Sequence, residues 1–113
     1  MFLPIVAAAA LILGDGYEPA GEVAWLCPQP EAAGEIALKV EHRAAPGLIS
    51  ALARARKCVS WENGTLNVSE ARRLGGQDIG LIRISVGGTE VSYWVSGNTV
   101  RWTRHGRRVG VEY

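Results

Sequence analysis

From Leu81 to Tyr113 apolar and polar residues alternate, the two-residue period of strands with one buried face, and turn residues cut the run at Gly87-Gly88, Gly97-Asn98 and His105-Gly106. Treating each as a two-residue hairpin loop fixes a register. Gly87-Gly88 sets Ile84 opposite Val91 and Ile82 opposite Tyr93; Gly97-Asn98 sets Val95 opposite Val100 and Tyr93 opposite Trp102; His105-Gly106 sets Trp102 opposite Val109 and Val100 opposite Val111. One face then collects Ile82, Ile84, Val86, Val91, Tyr93, Val95, Val100, Trp102, Val109 and Val111, and a slip of one residue would scatter that set. The pattern predicts a four-stranded antiparallel meander. A shorter strand precedes it over Thr65–Ser69, with Leu66 and Val68 apolar.

The first half has the longer period of helices. Pro46 suits a first helical turn, Leu48, Ile49 and Leu52 with Ala51 and Ala55 make an apolar stripe, and Arg54, Arg56 and Lys57 fall where the helix dipole favours cations. Residues 46–57 are therefore expected to be a helix. Upstream, Ile36, Leu38 and Val40 alternate like a strand, while Ala33, Ile36, Ala37 and Val40 fit one face of a helix after Pro30; the helix is preferred for residues 31–43. Two helices with a corner at Ala44-Ala45-Pro46-Gly47 would form a hairpin.

Before these elements lies an apolar leader from Phe2 to Leu13, the length of a signal-peptide core and short of the roughly 20 residues that a spanning helix needs. Small residues at Gly14 and Gly16 favour cleavage before Tyr17 over cleavage after Ala20, and no Lys or Arg opens the leader, so the alternatives are a true start that lies upstream or a segment that stays on as an anchor or core strand. Export would carry Cys27 and Cys58 into an oxidising compartment, where a lone pair of cysteines is expected to form one disulfide stapling the helical hairpin at its ends. About 97 residues would remain, enough for a single domain with a helical, disulfide-linked part at 17–58 and an antiparallel part at 59–113. The expected fold class is α+β, with a helical N-terminal segment packed on a small antiparallel sheet.

Charge separates the two halves. Residues 1–50 hold two basic and six acidic side chains, residues 51–113 ten basic and five acidic, so a net charge of +1 conceals a dipolar molecule. On the polar face of the meander the register sets Trp94 opposite Arg101 and Leu81, with Arg83, Ser92, Thr103 and Arg108 in the next row. An indole among guanidinium groups can stack a cation and offer donors to a carboxylate, phosphate or sugar. The simpler reading covers Trp94 with the N-terminal helices and leaves the arginines to solubilise its edge. Arg104, His105, Arg107 and Arg108 make a basic hairpin tip that is either a solvated turn or a probe for a partner.

The stretch Gly64-Thr65-Leu66-Asn67-Val68-Ser69-Glu70, then Leu81-Ile82-Arg83-Ile84-Ser85-Val86, Gly87-Gly88 and Tyr93-Trp94-Val95, resembles bacterial Src-homology-3-like barrels of exported proteins. The resemblance implies a glycine-led strand, a variable loop, a main apolar strand, a short turn and a closing Trp-Val strand, so that the helical segment would pack on a small antiparallel Src-homology-3-like barrel or meander. It covers about a third of the chain, and Tyr93 stands where these domains often have Gly. Its implied function is non-catalytic binding to cell-wall peptides or envelope partner proteins.

Catalytic chemistry finds no constellation. His42 and His105 are 63 positions apart, neither lies near a serine in a nucleophile elbow, and Cys27 and Cys58 with two distant histidines lack zinc-site spacing. Gly75-Gly76 and Gly87-Gly88 lack the lysine and helix of a phosphate loop, and Glu35 and Glu41 suit a solvated face. The expectation is a small exported, periplasmic binding or structural module without enzyme activity, cofactor, metal or stable transmembrane span. An inhibitor of a secreted enzyme is one alternative. A cytosolic nucleic-acid-binding barrel is another, disfavoured by the missing aromatic platform.

Overall fold

A computed structural model gives an α+β fold, and the structure describes residues 16–103. In chain order the elements are β1 (Gly16–Pro19), β2 (Ala24–Leu26), α1 (Pro30–Glu41), α2 (Pro46–Ala55), β3 (Val59–Trp61), β4 (Leu66–Leu74), β5 (Gln77–Val86), β6 (Thr89–Ser96), a 3-10 turn (Gly97–Thr99) and β7 (Val100–Trp102). Strands β6-β5-β4-β1-β7 form an antiparallel sheet in that order, with β6 and β7 at its two ends, so among the described residues the sheet is not closed into a barrel. Strands β2 and β3 pair separately, and Cys27 exchanges backbone hydrogen bonds of 2.7 and 2.6 Å with Trp94, hanging the small sheet on the outer edge of β6.

Both helices begin on the prolines that favour a first turn. Gln29 and Ala45, each the residue before a proline, hold the extended backbone that the ring imposes, and Pro30 and Pro46 open α1 and α2. Arg43 and Lys57 end them in the left-handed region at φ 59° and 64°. The face of α1 at Ala32, Ala33, Ile36 and Ala37 is buried, as its helical period requires. The disulfide between Cys27 and Cys58 brackets the helical hairpin.

Arg56 Nε and Nη2 donate to the two carboxylate oxygens of Glu35 at 2.7 and 3.0 Å, tying α2 to α1 on the surface. Those hydrogen bonds hold the Glu35 carboxyl below its ordinary value, against the opposing effect of desolvation. A depressed carboxylate stabilises the fold above its ordinary pKa and loses that contribution as pH falls through the folded-state value. Glu35→Gln should therefore lower the urea midpoint slightly at pH 7 and not at pH 2.5, and salt should shrink the difference.

Two cores flank the sheet. Ile79, Leu81 and Trp94 on one face pack with Trp25, Cys27, Cys58, Ile36 and Ala53 beneath the helices. Val68, Ile82, Val95, Val100 and Tyr17 on the other face pack with Ala24, Leu26 and Trp61. Strand β2 feeds both, with Trp25 and Cys27 turned one way and Ala24 and Leu26 the other, so all three of its residues are buried.

The meander is right in its first hairpin and wrong in its second. Ile84 pairs with Val91 and Ile82 with Tyr93 around Gly87-Gly88, both glycines at positive φ. Gly97-Asn98 makes no hairpin, because two-residue hairpin loops need positive φ and neither residue has it. Thr99 Oγ1 instead donates to the Ser96 carbonyl at 2.9 Å, and Asn98 Nδ2 donates to the Ala37 carbonyl at 2.9 Å, pinning the 3-10 turn to α1. The chain then crosses to the far end of the sheet, where β7 pairs Val100 with Pro19 and Trp102 with Tyr17, not with Val95 and Tyr93. The His105-Gly106 turn, Val109 and Val111 lie outside the described residues, as does the leader.

Two further differences have local causes. The variable loop implied after Ser69 is a hairpin, since Gly75 and Gly76 both take positive φ and Arg73 pairs with Asp78 at 2.9 Å across it. The segment 17–58, expected to be helical, also supplies β1 and β2. Neither shows alternation in the sequence, β1 because it is four residues long and β2 because it is apolar on both faces.

Candidate functional site

Trp94 is 9 % exposed and belongs to the core under the helices, next to Leu81 and Cys27. The cation on its ring is Arg72, whose guanidinium carbon lies 4.7 Å from the ring centroid. Arg72 pairs with Ile79, one same-face row from the Leu81–Trp94 rung, so it reaches the indole diagonally across β5. Arg83 stands in the next row, exposed and opposite Ser92 as expected. Arg101 is not there: it pairs with Glu18 across β1 and β7, and its guanidinium forms an ion pair with that carboxylate. The structure thus brings together Trp94 and Arg83, adds Arg72 and removes Arg101. Arg108 and the basic tip of Arg104, His105 and Arg107 lie outside the described residues.

An open concave feature lies elsewhere, between α2 and the β2–β3 ladder. Gly47, Ser50 and Arg54 fall at helical spacing on one side of α2, and two of the three are too small to fill the space they face. Opposite them stand Trp25 and Ser60, which pair across the ladder, then Val23 and Glu62, one position beyond the Ala24–Trp61 rung. Pro46 and Glu22 complete a groove of about 560 Å³. A methyl group built on Gly47 meets nothing within 4 Å, which shows how open this side is.

The groove carries charge in an ordered way. The Arg54 guanidinium lies over the Trp25 ring at 5.9 Å from its centroid. Among the described residues no carboxylate pairs with Arg54, and no cation pairs with Glu22 or Glu62. Beneath the groove Trp25 packs with Cys27 and Cys58, so the disulfide braces its floor. Periodicity could not reveal this site, because β2 and β3 are three residues each. The cue that was present is the Gly47-Ser50-Arg54 spacing, small residues on one side of an otherwise apolar helix.

Among the described residues no three His, Cys, Asp or Glu side chains gather as a metal site, and no helix is long and apolar enough to cross a membrane. No family model, curated relative or solved structure matches this chain.

Proposed function

We propose that this chain is a small exported binding module of the cell envelope, non-catalytic, that takes its ligand in the groove between α2 and the β2–β3 ladder. The observation that carries the reading is the groove itself: a tryptophan floor, a helix wall of small residues, and charged groups of both signs that form no ion pair among the described residues. A preformed concavity with an aromatic floor and a few placed polar or charged groups is the usual form of a small-ligand site. The Src-homology-3-like resemblance adds to it through Gly64 to Val100, a stretch that holds β4, β5 and β6 in order.

Export is supported by the Cys27–Cys58 disulfide, which is consistent with an oxidising compartment. The sheet also constrains where a leader could be cut. Removal of everything up to Ala20 would delete β1 and both of its ladders, whereas a cut before Tyr17 costs the Gly16–Asn67 rung and the hydrogen bond from Thr103 N–H to the Gly16 carbonyl.

The full chain produced in a bacterium and recovered from its periplasm should have an intact mass starting at Tyr17 and gain two hydrogens on reduction. An uncleaved cytosolic chain with free thiols would refute export. For the groove, purified cell-wall sacculi should co-sediment the native protein and fail to co-sediment Gly47→Met, whose side chain enters the open space. Because Gly is a poor helix former and no strained φ is involved, Gly47→Met should unfold at the same temperature or a few degrees higher. Undiminished co-sedimentation by that variant would remove the groove from the function.

A further inference from the structure

The groove is polar along its length, and this sets the chemistry of what it can hold. Arg54 stacks on Trp25, which is paired with Ser60. Val23 and Glu62 follow, each one position past the Ala24–Trp61 rung, with Glu22 adjoining. The groove thus holds a guanidinium over the Trp25–Ser60 rung, carboxylates past the end of the ladder, and apolar lining from Trp25 and Val23.

A ligand of one charge sign would satisfy one end and oppose the other. A single ion would leave the apolar lining unused. An ammonium and a carboxylate joined by an apolar segment match all three parts, and a short peptide with free ends has that form. We propose that the groove binds short zwitterionic peptides, with the amino terminus at Glu22 and Glu62, the carboxylate at Arg54, and a central side chain against Trp25. This rests on the groove being the binding site. Arg54 moves from its stacking position over the indole to a charge-assisted hydrogen bond with the ligand carboxylate, which suits its planar, multiply donating head. Ser50 and Ser60 flank the path and supply hydroxyls for the peptide backbone.

The test uses the tripeptide Ala-Leu-Ala with both ends free, its N-acetyl form and its C-terminal amide, read by the indole N–H resonance of Trp25 during NMR titration of the disulfide-bonded protein. The free peptide should move that resonance saturably, and either cap should weaken binding about tenfold or more. Arg54→Gln should lose the discrimination against the amide while keeping that against the acetyl form. Glu22→Gln with Glu62→Gln should do the reverse. These are surface substitutions in exposed positions, so the variants should fold.

Equal binding of free and capped peptides would overturn the zwitterion assignment while leaving the groove as a binding site. No movement of Trp25 with any of the three at 10 mM peptide, on the order of the weakest useful affinity, would overturn it as well. Failure of the groove reading shows differently, as sacculus binding that persists in Gly47→Met.

Discussion

Replacing Cys27 and Cys58 together by alanine should destabilise the protein by roughly 3 to 4 kcal/mol, the loop-closure entropy of a crosslink spanning about 32 residues. For a domain of this size that is a large part of the total stability. The native bridge joins residues 31 apart in sequence and encloses both helices, so its loss frees the whole hairpin in the unfolded chain. Both sulfurs also sit in the core under the helices, with Cys27 fully buried. Urea unfolding of the native and double-alanine proteins, followed by far-ultraviolet circular dichroism, measures the difference. A loss below about 1 kcal/mol would mean that the unfolded chain already holds the hairpin together. The groove should respond too, since Trp25 rests on the bridge, and peptide binding should weaken in the variant even at temperatures where it remains folded.

The second large effect separates two side chains that the sequence places side by side. Trp94→Ala should cost about 3 to 5 kcal/mol, the range for truncating a large core aromatic. The indole is buried among Leu81, Cys27 and Ile36, carries Arg72 on its face, and belongs to the residue whose backbone ties β2 to β6. Arg101→Ala should change stability by less than about 1 kcal/mol, because its contact is one exposed ion pair with Glu18. Thermal unfolding of the two single variants and the double variant decides the matter. A stable Trp94→Ala protein, or a double variant much worse than the two singles combined, would mean that Trp94 and Arg101 act as one unit after all.

Helix starts were legible because each helix opens with a proline, and Ile36 lies on a buried face of α1 as the helical period requires, although the same stretch also alternates like a strand. The expected stripe on α2 is not its buried face, since Leu48 is 64 % exposed and the buried residue is Ala53. The Gly87-Gly88 hairpin was legible for a similar reason, since two glycines supply the positive φ that the loop demands. Gly97-Asn98 looked alike in composition, and what separates the two lies outside the local sequence. Asn98 has a carbonyl to reach in α1, 61 residues away, and Thr99 has one in Ser96, so the chain gains more as a 3-10 turn than as a hairpin loop. Strand partners that are distant in sequence leave no local trace. Nothing in Gly16–Pro19 announces pairing with both Leu66 and Trp102.

That distance cost the candidate site its first form. Once β7 is moved beside β1, Arg101 follows it, and the cluster around Trp94 re-forms with Arg72 from a stretch that the family resemblance treats as a loop. The groove escaped for a different reason. It lies between a helix and a ladder of three-residue strands, and cavities arise from what side chains fail to fill, which period and composition do not record.

Strand β1 leads the described chain, yet its neighbours in the sheet are β4 and β7, the latter beginning some eighty positions later at Val100. Any chain that emerges amino end first, whether from a ribosome or across a membrane, must hold those four residues without their β4 partner until Leu66 has passed, and without their β7 partner until Val100 has. The disulfide loop at 27–58 can close long before then. The fold therefore divides into a helical half whose covalent fastening needs only residues up to Cys58, and a sheet that is complete only once β7 arrives to lock the head in place.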